Sequence, residues 1–336
     1  MNSGSGESPA SEIVLWAEYP SGQYQAVVQS DGRTVYLIIQ DAGSDTPPRL
    51  CWVRNLVPGP LVFAKPESDG GRPPLMPETY CNHPKGAAEP NWDDCRIYWF
   101  PQGLGAALFE KDELLALIPP LPDQGLPGFA RDCLHPTSVA LPLDDDDHYA
   151  PQVSRLAAYW EMWAQSPPWP RWQQALEAEM QKVWGTPTQH YAPPQAVWPP
   201  IAVTRWETQE HCILTTAGMG LRPQVGVEKD LQNFQDHQQA ELAIEIPLNR
   251  LQAPSDVDDY VQWLAGLARY PWHHQTCFLP GHTISIPPEL SKSWGSEMAR
   301  FDPESQLANS QQRSAILLPS FANQPVNLLW LRPKDS

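Results

Sequence analysis

Residues 239–246 read QAELAIEI, in which Ala240, Leu242, Ile244 and Ile246 alternate with Gln239, Glu241, Ala243 and Glu245. A period of two held over this length is the mark of a β-strand. Strands are also expected at 200–206 and 211–217, and again in TCFLPGHTISI (276–286), SAILLPS (314–320) and VNLLWLRP (326–333). Between and before them the period changes. QVSRLAAYWEMWAQ (152–165) and WPRWQQALEAEMQKVWG (169–185) carry apolar residues at helical spacing, the second stopped by Gly185 and Pro187. SDVDDYVQWLAGLARY (255–270) opens with Ser255 as an expected N-cap and an acidic first turn. Helices interspersed with strands predict an α/β or α+β layered fold.

The first half reads differently. EIVLWAEY (12–19), QYQAVVQS (23–30) and RTVYLIIQ (33–40) follow one another, with Ser-Asp-Gly at 30–32 as a turn, and predict a β-meander. LCWVRNL (50–56), CRIYWF (95–100), GAALFEK (105–111) and ELLALIP (113–119) continue the β pattern. A Pro/Gly-interrupted stretch from Pro119 to Tyr149 ends in four consecutive aspartates, Asp144, Asp145, Asp146 and Asp147, followed by His148. The expected organisation is a disordered tail over 1–11, a β-rich acidic domain over 12–150, and a mixed α/β domain over 151–336.

Composition narrows the function. The 336 residues carry 22 basic and 39 acidic side chains, a net charge of −17. Residues 1–150 hold 21 acids against 9 bases, a local balance of −12. Such a surface repels nucleic-acid phosphates and anionic lipid and attracts cationic proteins, so a basic protein is the expected partner. No apolar run reaches membrane-spanning length, and the N-terminus lacks the basic and apolar regions of a secretory signal, so a cytoplasmic location is expected. The six cysteines are scattered without a CxxC and are expected to be reduced. The acidic run Asp144–Asp147 reads either as a solvated linker or as a partner contact, since adjacent carboxylates repel one another and gain from a cationic neighbour.

One stretch invites a chemical reading. RYPWHHQTCFLPGH (269–282) packs His273, His274, Cys277 and His282 close together. Its spacing matches no zinc pattern, and adjacent His273 and His274 diverge on either a strand or a helix. A nucleophilic Cys277 would need His274 or His282 as base and an electropositive setting. The alternative is a helix end at Tyr270-Pro271, a short loop, and a strand with a Pro280-Gly281 turn. A metal-dependent hydrolase built on these four residues is the rival to a binding protein. No P-loop, GxSxG elbow or EF-hand loop is present.

Taken in order, HCILTTAGMGLRP (211–223), AELAIEIP (240–247), WLAGLARYP (263–271), FLPGHTI (278–284) and VNLLWLRP (326–333) resemble the suppressor-of-fused domain family over about residues 155–333. The resemblance implies a protein-binding fold, a mixed sheet flanked by helices, with no catalytic residue, cofactor or metal to carry over. It also implies a role in which the protein sequesters a partner, the bacterial members commonly neutralising a toxin as immunity proteins. The expectation is therefore a toxin-binding protein that occludes its target's active site, the target being a basic protein such as a nuclease, with a non-toxin adaptor as the other binding role.

Overall fold

The computed structural model describes residues 11–41, 43, 46–63, 72–120, 127–145, 149–192, 198–303 and 318–334. Except for Ser11, the expected tail over 1–11 lies outside them. The chain forms two compact units, Met1–Trp160 and Glu161–Ser336.

In the first unit, β1 (Glu12–Glu18), β2 (Tyr24–Ser30), β3 (Thr34–Asp41) and β4 (Arg49–Asn55) make an antiparallel sheet in sequence order, the meander expected from the alternation. A second sheet, also in sequence order, is built from β5 (Cys95–Trp99), β6 (Ala106–Glu110), β7 (Glu113–Ile118), β8 (Phe129–Ala130) and β9 (Leu141–Pro142), with only the β8–β9 pair parallel. The two sheets face each other, β4 lying against β7 and β8. The interior takes one face of each strand: Ala26 and Val28, Leu37 and Ile39, Cys51 and Val53 are buried, as are Leu115 and Leu117. Two helices follow, α1 (Ala150–Val153) and α2 (Leu156–Gln165), where the periodicity predicts one. Tyr149, Val153 and Leu156 anchor them in a cluster with Phe100 and Leu117. The boundary between units falls within α2.

The second unit begins with α3 (Trp169–Trp184), which buries Trp172, Leu176 and Met180 at helical spacing and ends at Gly185 with φ of 78°. Its seven-stranded sheet comprises β10 (Gln189–Tyr191), β11 (Ala202–Glu207), β12 (His211–Ala217), β13 (Gln239–Pro247), β14 (Thr283–Ser285), β15 (Met298–Asp302) and β16 (Val326–Pro333). Their order is β10-β11-β12-β13-β16-β15-β14, and only β13 with β16 runs parallel. The helices are α4 (Val227–Asp230), α5 (Pro254–Leu267), α6 (Tyr270–His273) and α7 (Pro288–Trp294). The α+β class with a β-rich first half is thus what the sequence predicts.

Three local readings change. Helix α5 begins at Pro254, so Ser255 is not its N-cap; Asp256 reaches back to accept the N–H groups of Gln252 at 2.6 Å and Ala253 at 3.0 Å. Tyr270-Pro271 is not a helix end leading to a loop. Proline is tolerated in a first helical turn, and Pro271 sits there in α6. The strand expected over 276–286 shrinks to Thr283–Ser285, Cys277, Phe278 and Leu279 being buried in irregular backbone.

Candidate functional site

The best-organised polar arrangement in the second unit surrounds Glu241, near the start of β13. Its residue is fully buried. Oε1 accepts hydrogen bonds from Trp172 Nε1 at 2.8 Å, Gly218 N at 2.8 Å and Gly220 N at 2.9 Å. Oε2 accepts from Thr216 Oγ1 at 2.6 Å and Met219 N at 3.3 Å. Thr216 is oriented for this, because its oxygen also accepts the N–H of Leu242 at 2.8 Å. Burial pushes the Glu241 carboxyl up from its ordinary value, while its donors, Thr216 first, pull it back.

The glycines are required by this turn. Gly218 has φ of 123°, and a Cβ there would lie 2.1 Å from the Pro200 carbonyl oxygen. A Cβ on Gly220 would lie 2.7 Å from Val326 Cγ1 and crowd Glu241 itself. Only a glycine lets the backbone N–H groups close on the carboxylate. A carboxylate enclosed by five neutral donors cannot meet a substrate. Its role is to hold the TTAGMG turn, α3 and β13 together.

The ligand-capable residues at 273–282 are dispersed. His273 ends α6, and burial, reinforced by Arg222, His274 and Arg269, lowers its pKa. His274 stacks on Tyr270 with ring centroids 4.0 Å apart. The Cys277 thiol faces Asp230 Oδ2 at 3.6 Å and packs with Val227 and Leu279. His282 Nδ1 meets the Cys277 carbonyl oxygen at 3.3 Å, a contact with backbone and not with sulfur. An anionic neighbour is the reverse of what a nucleophilic thiolate needs. Among the described residues, no group of three or more His, Cys, Asp or Glu converges as metal ligands.

Of the expected partner contact, Asp144 is exposed in a 3-10 turn over Leu143–Asp145. Asp146 and Asp147 lie outside the described residues, and of Asp145 only the backbone is described. Tyr149 beyond them is buried against Phe100, ring centroids 6.0 Å apart, and serves the core. A small open cavity of about 110 Å³ lies where β12 and β13 meet α7, lined by His211, Glu245, Arg250, Ser293 and Trp294. His211 Nε2 is 3.7 Å from Glu245 Oε1 there, and Arg250 is tied to the Trp294 carbonyl.

The mixed sheet is thus pinned to α3 and the turn at 216–220 by one enclosed carboxylate. Residues 198–333 match the sequence model of the suppressor of fused protein (SUFU) family, a family of protein-interaction domains. The matched span begins after α3, so it is shorter than the 155–333 suggested by the motifs. It contains Thr216, Gly218, Gly220 and Glu241. No curated protein and no solved structure matches the chain.

Proposed function

We propose that the protein is a bacterial immunity protein, binding a cognate toxin in the cytoplasm and occluding its active site. The observation that carries this reading is the union of a SUFU-type interaction domain over 198–333 with a balance of −12 over residues 1–150. An acidic surface of that strength recruits a basic protein, and an enzyme that acts on nucleic acid presents a basic surface. The exposed Asp144, with Asp145, Asp146 and Asp147 adjoining it in sequence, supplies cationic side chains with acceptors. The protein acts by binding and uses no cofactor.

The test is co-expression with the product of the adjacent gene. A stoichiometric complex, together with restored growth of cells producing that protein, is expected. Growth that stays arrested with no complex formed overturns the immunity reading, and a complex with a non-toxic protein replaces it with the adaptor role.

A further inference from the structure

The outer face of the β1–β4 sheet carries a feature that the strand pattern conceals. Ile13 pairs with Gln29 and Leu15 with Val28, so the register slips by one residue at a bulge between Ile13 and Leu15. An odd spacing normally puts side chains on opposite faces. The extra residue instead puts Ile13 and Trp16 on the same face, because their partners Gln29 and Val27 share one. Across the sheet, Trp16 pairs with Val27, Val27 with Ile38 and Ile38 with Leu50. An apolar stripe therefore crosses all four strands at right angles to them.

The protein covers half of this face with its own chain. Tyr36 and Trp52, the next cross-strand pair, are buried, and the Tyr36 hydroxyl donates to the Pro74 carbonyl at 2.6 Å. The stripe is open at its two ends, Trp16 being 62% and Leu50 37% exposed, with Ile13 beside Trp16 at 56%; between them Val27 is buried and Ile38 half-buried. On its free side runs a polar row, with Glu18 paired to Gln25 and Gln25 to Gln40. Gln40 Nε2 donates to Gln25 Oε1 at 3.3 Å.

We propose that this open half-face is a docking surface for a protein whose contact patch is an apolar knob ringed by Lys or Arg. Exposed apolar side chains on one sheet face with a polar border mark interaction surfaces, and an exposed Trp is a preferred anchor. Charge selects the occupant. The border is acidic at Glu18, and the surrounding 150 residues sum to −12, so a cationic rim on the partner is complementary. A second copy of this chain, at −17, repels, and an anionic membrane does the same. This surface deepens the protein-binding reading above and rests on it.

A labelled peptide of alternating Leu and Lys is the probe, titrated against the full chain and against a Trp16→Glu/Leu50→Glu variant. Both positions are exposed, so the variant is expected to fold as the parent does by circular dichroism. The variant is also more negative, so attraction by charge alone would strengthen its hold on the peptide. A loss of about tenfold or more in affinity is expected instead, because the apolar contact is gone. Hydrogen exchange should slow in the parent over residues 13–18, 25–29, 38–40 and 49–50. Equal or tighter binding by the variant, or protection confined to other segments, overturns the proposal. So does a Leu–Ser peptide that binds as well as Leu–Lys, a dimer in sedimentation that Trp16→Glu dissolves, or peptide binding that appears only after residues 1–10 are removed. If the co-expressed partner binds the variant as it binds the parent, this surface fails and the immunity reading stands. If no partner binds the parent, the immunity reading fails irrespective of the peptide.

Discussion

Gly218 donates its backbone N–H to Glu241 Oε1 at 2.8 Å, and that bond fastens the turn after β12 to the first part of the adjacent strand. Removing the carboxylate strands several donors in a dry interior. Each buried donor left without a partner costs about 1–3 kcal/mol. Glu241→Ala is therefore expected to lose about 4 kcal/mol or more, measured by chemical denaturation, while Glu241→Gln, which keeps one acceptor oxygen, loses about 1–2 kcal/mol. Equal stability of the two variants would show that the acceptor role is unimportant.

Gly218→Ala tests the turn from the other side. Its Cβ would press on the Pro200 carbonyl oxygen at 2.1 Å, at a φ of 123° that alanine resists. A loss of about 3 kcal/mol or more is expected from steric overlap with backbone that cannot move aside. Unchanged thermal unfolding would mean the turn relaxes.

The thiols give a pH dependence with a definite sign. Burial pushes Cys81 up to about 12, and Cys95 and Cys212 up to about 11, from an ordinary value of 9.0. Above pH 9 the unfolded chain releases thiol protons that the folded chain keeps. Their contribution to stability is complete below that pH and is lost as pH rises toward 11–12. Denaturation midpoints should fall over this window, and native protein at pH 8 should resist iodoacetamide at all six cysteines until it is unfolded.

Association with the partner should slow as salt rises, since screening shortens from about 30 Å at 0.01 M to about 10 Å at 0.1 M. Dissociation should change less. Stopped-flow rates indifferent to salt would remove the reason for expecting a basic target.

Replacing Asp144, Asp145, Asp146 and Asp147 together with Asn should leave thermal stability nearly unchanged and weaken partner binding about tenfold or more, about 1.4 kcal/mol. Parent-like affinity by calorimetry would assign the interface elsewhere, first to the face bearing Trp16 and Leu50.

What sequence makes legible follows from which forces are local. The meander and β13 are visible because alternation is a property of neighbouring residues. Alternation does not reveal that Glu241 is interior. A period of two ordinarily turns such a glutamate to water, but Trp172 and the turn at 216–220, distant in the chain, close over it. The only hint is the pair of glycines in TTAGMG, residues suited to a backbone that must approach something closely. Likewise Ile13 and Trp16, three apart, look like opposite faces until the bulge is known, and a bulge leaves no signature in EIVLWAE. The histidines at 273, 274 and 282 mislead for the converse reason: closeness in sequence does not aim their rings at a common point.

The parallel pairing of β13 with β16 bears on how the second unit is assembled. Residues 326–333 enter the sheet between β13 and β15, so without them the strands up to Pro247 and the antiparallel β14–β15 pair share no hydrogen-bonded ladder. During synthesis β13 leaves the ribosome well before its permanent neighbour, with one edge unmatched and able to pair with foreign strands. Closing so distant a contact is slow relative to local helix and hairpin formation. The nascent chain thus passes through an interval of vulnerability that ends when Val326–Pro333 docks.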